Sequence, residues 1–359
     1  MGKPTMNFGI IGTGTMAHTM MRAFRALPEA RVVAVASRSE DRAREFARRH
    51  GLTRHFGTIA SLADDSEVEV VYVASHPMHH VSDCVAALQA GKAVLCEKPL
   101  ATSAAEAQQV AEAASRSGVF LMEGMWIRFL PAVRRAEELT KARVVGAPRF
   151  LQADFGYPVP GDQSPSVGVL LDRAVYPISL AILLLGVPRA ASSVVVRNDA
   201  GVACQASLIL RHDGGALSQL SVSTQAFLGN RALISCSGGR IELMEPLLGT
   251  ERISIREQAP VLAEARSEAG ASTKQRIFET LKSSSLLRRV RTRYYPNVSV
   301  EHRSYGVNPY VPQLQEVVEC VRSGKTQSHL MPIEHTLETL RIVEQAGSDV
   351  QQGSDGLGS

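Results

Sequence analysis

The sequence predicts an α/β chain with two domains. The N-terminal domain is expected to have a parallel sheet, and the C-terminal domain to be α+β with an open, mostly antiparallel sheet. Three observations lead to this prediction. The chain has 359 residues, more than a single hydrophobic core usually holds. Strand and helix patterns alternate from residue 7 to about residue 123. Beyond Trp126 short strand patterns dominate instead.

In the N-terminal part, apolar runs predict buried parallel strands, and amphipathic runs that end at glycine predict helices. The predicted strands are residues 7–11, 31–36, 68–74 and 93–96, and the predicted helices are residues 40–50, 79–90 and 103–117. The last of these helices has Thr102 or Ser103 as its N-terminal cap.

In the C-terminal part, strand patterns are separated by the hairpin signals Asp213-Gly214-Gly215 and Gly238-Gly239. The predicted strands are residues 150–155, 193–197, 203–210, 216–224, 232–237 and 252–257, and the predicted helices are residues 309–322 and 333–345. We therefore predict domains at residues 1–123 and 124–348, followed by a frayed tail at residues 349–359.

A glycine turn follows the first strand and reads Gly12-Thr13-Gly14-Thr15-Met16-Ala17. In a dinucleotide-binding turn the first glycine allows the tight bend, and the second lets the backbone approach a pyrophosphate. The backbone amides of Thr15 and Met16, at the start of the helix, would face that anion. The turn predicts a Rossmann domain, the alternative being an ordinary strand-to-helix turn.

The residues after the second strand indicate which dinucleotide is bound. An acid there would bind the ribose of NAD, but the sequence has Ser37 and Arg38, which suit the 2′-phosphate of NADP. NADP is therefore the expected cofactor, with NAD possible. Because Glu40 and Asp41 follow, a helix cap with an exposed arginine is the alternative.

The strand at residues 93–96 runs into Glu97-Lys98-Pro99. Ligands of open α/β sheets bind outside the carboxyl ends of the strands, so a lysine there would lie in the ligand crevice. Pro99 prevents the chain from continuing as a helix. Lys98 is the first candidate for the reaction centre, and a solvated surface lysine is the alternative.

Composition and charge narrow the range of partners. The formal net charge is only +4, which indicates neither a nucleic-acid nor a membrane partner. The five cysteines are scattered, and the cluster of His76, His79 and His80 lacks further ligands, so no metal site is predicted. With no leader sequence evident, we expect a cytoplasmic protein. The basic stretch at residues 274–293 is interpreted as a solvated helix or loop, with an anionic partner as the alternative.

Several landmarks together resemble one family of oxidoreductases. They are the glycine turn, Pro77-Met78-His79-His80, Ala90-Gly91-Lys92, Glu97-Lys98-Pro99, and Asp172 followed four residues later by Tyr176. Over nearly its whole length the chain resembles the glucose-fructose oxidoreductase, inositol dehydrogenase and rhizopine-catabolism (Gfo/Idh/MocA) family. Residues 123–131 are similar to the branch with dimeric dihydrodiol dehydrogenases, NADP-dependent xylose dehydrogenases and glucose-fructose oxidoreductase.

The resemblance implies a cleft between the two domains and a catalytic trio of Lys98, Asp172 and Tyr176. Residues 172 and 176 are one helical turn apart and would face the same way, although Pro177 disfavours helical geometry at Tyr176. We expect the Lys98 ammonium to lower the pKa of the Tyr176 phenol so that it can accept a proton.

Further residues are assigned to the site on the same basis. The candidates for cofactor contacts are Pro77, His80, Glu97, Lys98 and Arg128, in addition to Gly12 through Met16, Ser37 and Arg38. The candidates for substrate contacts are Trp126 and Phe155, together with Asp172 and Tyr176. Trp126 could equally be a packed core aromatic.

These expectations define a function. We predict an NADP-dependent dehydrogenase that transfers hydride from a cyclic polyol or sugar, most simply an aldose at its anomeric carbon. The alternatives are oxidation of a trans-dihydrodiol, reduction of a ketosugar, and a non-catalytic nucleotide-binding regulator on the same fold. Partners are expected to be a small-molecule substrate and a second copy of the chain. Residues 218–224 would form the face of a homodimer or homotetramer.

Overall fold

Two β-sheets organise this computed structural model, which describes residues 4–160, 167–257 and 298–348. All strands of the first sheet run parallel, and it has helices on both faces. Its strands are β1 (Met6–Ile11), β2 (Ala30–Ala36), β3 (Arg54–Phe56), β4 (Val70–Val73), β5 (Ala93–Cys96) and β6 (Leu121–Glu123). Their order in the sheet is β3-β2-β1-β4-β5-β6, which is that of a Rossmann domain.

The helices of this part begin and end at residues that the sequence makes recognisable. They are α1 (Thr15–Arg25), α2 (Glu40–His50), α3 (Ile59–Ala63), α4 (His80–Gln89) and α5 (Ala104–Ser117). Ser103 caps α5, because its hydroxyl accepts a hydrogen bond from the backbone N–H of Glu106. Strands β4 and β5 are buried at every residue, as expected of strands that are covered on both faces.

The second sheet has eight strands and one open face. Its strands are β7 (Pro148–Gly156), β8 (Ala190–Arg197), β9 (Ala203–Arg211), β10 (Leu217–Ser223), β11 (Ala232–Cys236), β12 (Gly239–Leu243), β13 (Arg252–Glu257) and β14 (Val298–His302). Their order is β14-β13-β12-β11-β7-β10-β9-β8, and every pair is antiparallel except β7 with β10. The predicted fold class is therefore confirmed, including both hairpin turns.

Four further helices connect the sheets. They are α6 (Pro131–Lys141), α7 (Val175–Leu185), α8 (Val311–Arg322) and α9 (Ile333–Ser348), and a π-helical turn, Leu170–Ala174, leads directly into α7. Helix α8 contacts α1, and α9 contacts α5 as well as α7 and β8. The last two helices thus bind both halves together, while the division near residue 124 stays a proposal.

Two sequence features fall outside the described residues: the basic stretch at residues 274–293 and the tail at residues 349–359. Four strands were not predicted from the sequence, and each has only three to five residues: β3, β6, β12 and β14. So few residues carry too little periodicity to distinguish a strand from a loop.

Among the helices of the described ranges, none has the length and apolar character that crossing a bilayer requires.

Candidate active site

A cavity of about 480 Å³ lies at the carboxyl ends of β1, β2 and β4. Its lining includes eight residues predicted to contact the cofactor: Gly12, Thr13, Gly14, Thr15, Met16, Ser37, Arg38 and Pro77. Gly12 has a φ of +105°, and a Cβ there would lie 2.4 Å from the carbonyl oxygen of Ala74. Nothing lies within 4 Å of a Cβ at Gly14, the N-cap of α1. This open space above a helix N-terminus fits a pyrophosphate.

A second arginine, which the sequence analysis missed, also lines this cavity. Arg42 lies in the first turn of α2, four residues after Arg38. Neither arginine forms an ion pair within the described part of the chain, whereas Glu40 and Asp41 both pair with Arg44. Glu40 and Asp41, which left a helix cap as the alternative for this segment, therefore do not neutralise Arg38 or Arg42. Two uncompensated guanidinium groups at the end of β2 suit a phosphate.

The predicted catalytic trio comes together across the cleft. Lys98 Nζ donates to the backbone oxygen of Asp172 at 2.9 Å and to Asp172 Oδ1 at 3.1 Å. The same nitrogen lies 4.8 Å from the centre of the Tyr176 ring. The Lys98 side chain is 15% exposed and that of Asp172 is 32% exposed, so the cleft remains open to small molecules. The expected juxtaposition of these residues is present, while their catalytic roles stay proposals.

Pro177 takes part in this geometry, contrary to expectation. Tyr176 is helical, as the second residue of α7, so the expected disruption of the helix at the tyrosine was wrong. In a π-helical turn such as the one before α7, each carbonyl accepts a hydrogen bond from the N–H five residues later. For the carbonyl of Asp172 that residue would be residue 177. Proline has no N–H to donate. Lys98 Nζ supplies a donor to this carbonyl instead.

Two aromatic side chains hold the Tyr176 ring. Trp126 Nε1 donates to Tyr176 Oη at 3.4 Å, and the two rings meet edge to face. Phe155, at the end of β7, packs against the other side with ring centres 5.7 Å apart. Trp126 is only 6% exposed and Phe155 only 7%. They therefore orient the phenol, whose own O–H proton has no acceptor in the described part of the chain.

The electrostatics of the trio differ from the expectation in one respect. Burial raises the pKa of Tyr176 above its ordinary value, and the Lys98 ammonium and the Trp126 hydrogen bond offset this only in part. The expected lowering of this pKa was therefore wrong for the protein without ligands. Burial alone would lower the pKa of Lys98, but Tyr176 and Asp172 raise it above the ordinary value. At neutral pH the site holds an ammonium beside a neutral phenol.

Two carboxyl groups are buried behind Lys98. Glu97 Oε1 accepts a hydrogen bond from Tyr72 Oη at 2.7 Å, and Glu123 accepts one from the backbone N–H of Leu100 and one from Thr336. Burial raises the pKa of both carboxyl groups. Glu97 is 5% exposed, so it supports the loop that carries Lys98 from its buried side. A cofactor contact for Glu97 is not evident in this arrangement.

The structure puts two predicted cofactor residues in supporting positions. Arg128 is 0% exposed, and its guanidinium donates to the side chain and carbonyl of Ser179 and to the Leu330 carbonyl, and contacts His335. It connects the residues after β6 to α7 and to the segment before α9, and its contact with the cofactor stays a prediction.

His80 is 1% exposed, and its ring nitrogens bond the carbonyl oxygens of Pro99 and Ser75 at 2.8 and 3.0 Å. The ring links the loop that carries Lys98 and Pro99 to the segment after β4. Pro77 of that segment lines the cavity. His80 is thus buried behind the site, and its direct contact with the cofactor also stays a prediction.

Two further residues of the site were not assigned from the sequence. Arg173 donates to the carbonyls of Tyr157 and Ser223, and its guanidinium lies 4.0 Å from the centre of the Tyr157 ring. Tyr310, just before α8, packs against Trp126. No sequence pattern had singled out Arg173 or Tyr310. Within the described ranges no three His, Cys, Asp or Glu side chains form a group that could hold a metal ion.

Comparisons with known proteins give matches for both domains. Residues 6–125 match the family model GFO/IDH/MocA, an oxidoreductase family with an NAD-binding Rossmann fold, and residues 133–242 match the GFO/IDH/MocA C-terminal domain. The trans-1,2-dihydrobenzene-1,2-diol dehydrogenase of Sus scrofa is 36% identical over 251 residues, which cover 67% of this chain and 75% of that protein. The enzyme of the same name from Mus musculus is 29% identical over 350 residues, 95% of this chain and 96% of its own.

Two solved structures share the fold. An aldose-aldose oxidoreductase from Caulobacter crescentus, complexed with glycerol, superimposes with a TM-score of 0.79 at 20% identity, covering 97% of this chain and 98% of its own. A 3-ketoreductase from Actinomadura kijaniata, in complex with TDP-benzene and NADP, gives a TM-score of 0.74 at 24% identity over 96% of this chain and 98% of its own.

Proposed function

Because the chain belongs to the GFO/IDH/MocA family of oxidoreductases, we propose that it transfers hydride between NADP and a CH–OH group of a cyclic polyol or sugar. One observation carries the proposal. Lys98, Asp172 and Tyr176 meet at the carboxyl edge of the Rossmann sheet, the same edge of the sheet at which the nucleotide cavity lies. Hydride transfer at a CH–OH carbon needs a group that exchanges the hydroxyl proton and a positive charge near the oxygen. The Tyr176 phenol and the Lys98 ammonium can supply them.

Each residue has a defined part in the proposed reaction. A bound nicotinamide ring accepts or supplies the hydride. In oxidation the hydroxyl carbon loses a hydride, the hydroxyl proton passes to the phenolate oxygen of Tyr176, and a carbonyl forms. In reduction Tyr176 Oη returns its proton to the oxygen as the hydride arrives. Lys98 stabilises the negative charge on the reacting oxygen, while Asp172 holds the lysine in place.

Two substrate classes fit this site. Our first candidate is an aldose oxidised at its anomeric carbon to a lactone. The second is a trans-dihydrodiol, and it is favoured by the dihydrodiol dehydrogenases among the relatives. The aromatic side chains of Trp126, Phe155 and Tyr310 around the trio suit both classes. Aromatic rings pack well against apolar faces of either kind of ring.

A substrate panel tests the function. The purified protein is assayed with NADP and NAD against aldoses, inositols and trans-dihydrodiols, and with NADPH and NADH against ketosugars, by the absorbance of the reduced nicotinamide. We expect NADP-dependent turnover of at least one cyclic compound, and none in Lys98→Met. Binding of NADP with no turnover of any compound would indicate the non-catalytic regulator instead.

The cofactor preference has its own test in Arg38 and Arg42. A charge-assisted contact to phosphate contributes about 1.5–3 kcal/mol, so Arg38→Ala or Arg42→Ala should raise the apparent KM for NADP by about tenfold or more. The KM for NAD should change little, because NAD lacks the 2′-phosphate. Arg44→Ala is the matched control, since Arg44 pairs with Glu40 and Asp41 instead of lining the cavity. An unchanged KM for NADP in both variants would exclude this assignment.

A further inference from the structure

Tyr310 brings a second phenol to the reaction centre. Its ring packs against Trp126 in a tilted contact with ring centres 4.8 Å apart, and Trp126 in turn donates a hydrogen bond to Tyr176. Tyr310, Trp126 and Tyr176 thus form a continuous aromatic chain. The contact with Trp126, whose other ring contact is Tyr176, places the Tyr310 ring beside the predicted trio.

The hydroxyl of Tyr310 has no hydrogen-bond partner among the residues that the structure describes, although the Tyr310 backbone N–H bonds Asn308 Oδ1. The residue is half-buried, and its oxygen is not among the fully enclosed polar atoms without a partner. Tyr72, the other phenol near Glu97, has its hydroxyl committed to that carboxyl group. A phenol with a packed ring and an available hydroxyl is suited to a ligand that presents both apolar and polar surface.

The helix that follows Tyr310 anchors it to the Rossmann domain. Tyr310 directly precedes α8, whose buried Gln313 reaches Met20 of α1, the helix that begins at the nucleotide turn. Burial and the neighbouring Tyr176 raise the pKa of the Tyr310 phenol, so it stays protonated through the neutral range. It can therefore donate or accept a hydrogen bond but is a poor base, which leaves proton transfer to Tyr176.

We propose that Tyr310 is a specificity-determining residue that hydrogen-bonds the substrate oxygen next to the one on which Tyr176 acts. The site would then select cyclic vicinal diols, the chemistry that an aldose and a trans-dihydrodiol share. This inference rests on the proposed function. Within it, the ring of Tyr310 covers an apolar part of the substrate ring, and its hydroxyl recognises the second oxygen.

The test compares matched substrates in matched variants. The enzyme–NADP complex is titrated with trans-cyclohexane-1,2-diol and with cyclohexanol, and with glucose and 2-deoxyglucose. The emission of Trp126, the single tryptophan of the chain, reports binding, and turnover is followed alongside. Tyr310→Phe keeps the ring contact and removes only the hydroxyl. Tyr305→Phe, a half-buried tyrosine five residues earlier, is the control.

We expect Tyr310→Phe to weaken diol binding by about three- to tenfold, the size of one neutral hydrogen bond, and to leave binding of the monohydroxyl compounds unchanged. KM should change and kcat should not. Equal preference for diols in the wild type and Tyr310→Phe overturns the inference, as does a wild type that binds both members of each pair equally. Tyr310-dependent diol binding without hydride transfer would support the inference and overturn the proposed function.

Discussion

Among single residues, the state of Tyr176 determines how the proposed reaction depends on pH. Burial keeps the Tyr176 pKa above that of a free tyrosine, even with Lys98 beside the ring. Proton donation in the reductive direction is then available throughout the neutral range. Oxidation needs the phenolate, whose population rises with pH towards that high pKa. The two directions should therefore show opposite pH dependence.

We expect kcat for oxidation to rise with pH from 7 to 10 without a plateau, and kcat for reduction to stay flat and fall only at the alkaline end. Tyr176→Phe should lower kcat by roughly 10²–10⁴ and abolish both dependences, while the Kd for NADP stays nearly unchanged. Lys98→Met should lose at least as much activity. The measurement is steady-state kinetics at constant ionic strength. A near-normal kcat with the wild-type pH profile in Tyr176→Phe would falsify the assignment.

At the level of elements, the nucleotide turn uses its two glycines for different purposes. Gly12 satisfies a requirement of the fold, because its φ is +105° and a Cβ would meet the Ala74 carbonyl. Gly14 has an ordinary extended backbone and open space around it. Only a ligand would occupy the space that a side chain at Gly14 would fill.

Alanine substitutions should separate these purposes. Gly12→Ala is expected to lower the free energy of unfolding by about 1–3 kcal/mol through backbone strain, and more if the carbonyl cannot move. Gly14→Ala should leave Tm unchanged and raise the Kd for NADP at least tenfold, because the methyl group blocks the approach of the pyrophosphate. Thermal unfolding and cofactor titration measure the two effects. Equal losses of stability in both variants would contradict this division.

The π-helical turn before α7 gives a second prediction at this level. Pro177→Ala supplies an N–H that, in the i+5 pattern of the π-helical turn, competes with Lys98 for the Asp172 carbonyl. We expect kcat to fall about tenfold or more, because a displacement near 1 Å in a catalytic group is costly, while Tm is unchanged or raised. Pro131→Ala, at the first residue of α6, is the control and should change neither quantity. A fully active Pro177→Ala enzyme would show that this carbonyl is dispensable.

For the whole molecule, the open face of the second sheet is the surface that we propose joins two copies of the chain. Ser221 of β10 lies beside Ser207 of β9, which pairs with Val194 of β8. Val194 is 72% exposed and the neighbouring Ile209 is 42% exposed, so this face is partly apolar. The opposite face is covered by helices, among them α7 and α9. Exposed apolar patches of this kind commonly mark symmetric interfaces.

A charged residue on this face should prevent association. We expect light scattering to give a dimer or tetramer for the wild type at micromolar concentration, and Val194→Lys to shift the mass towards the monomer, because an unpaired charge would be buried in the interface. Val307→Lys provides the comparison, since Val307 is 86% exposed in the loop before α8. A monomeric wild type, or an unaltered mass in Val194→Lys, would rule out this interface.

The sequence by itself determined the parallel sheet, the nucleotide turn, and the place of Lys98 at the end of β5. These features follow from local patterns: apolar runs, glycine spacing and strand ends are visible within a few residues. Asp172 and Tyr176 were identified because their spacing and the family resemblance agreed. Short strands such as β3 and β14 carried too little pattern to be recognised.

Only the tertiary structure decided how these residues act together. The contact of Lys98 with Asp172 joins positions 74 residues apart, and Tyr310 reaches Trp126 from the start of α8. Arg128 became a buried connector, and burial reversed the expected direction of the Tyr176 pKa shift. Burial and the pairing of distant side chains depend on how the elements pack, and the local sequence pattern does not contain that information.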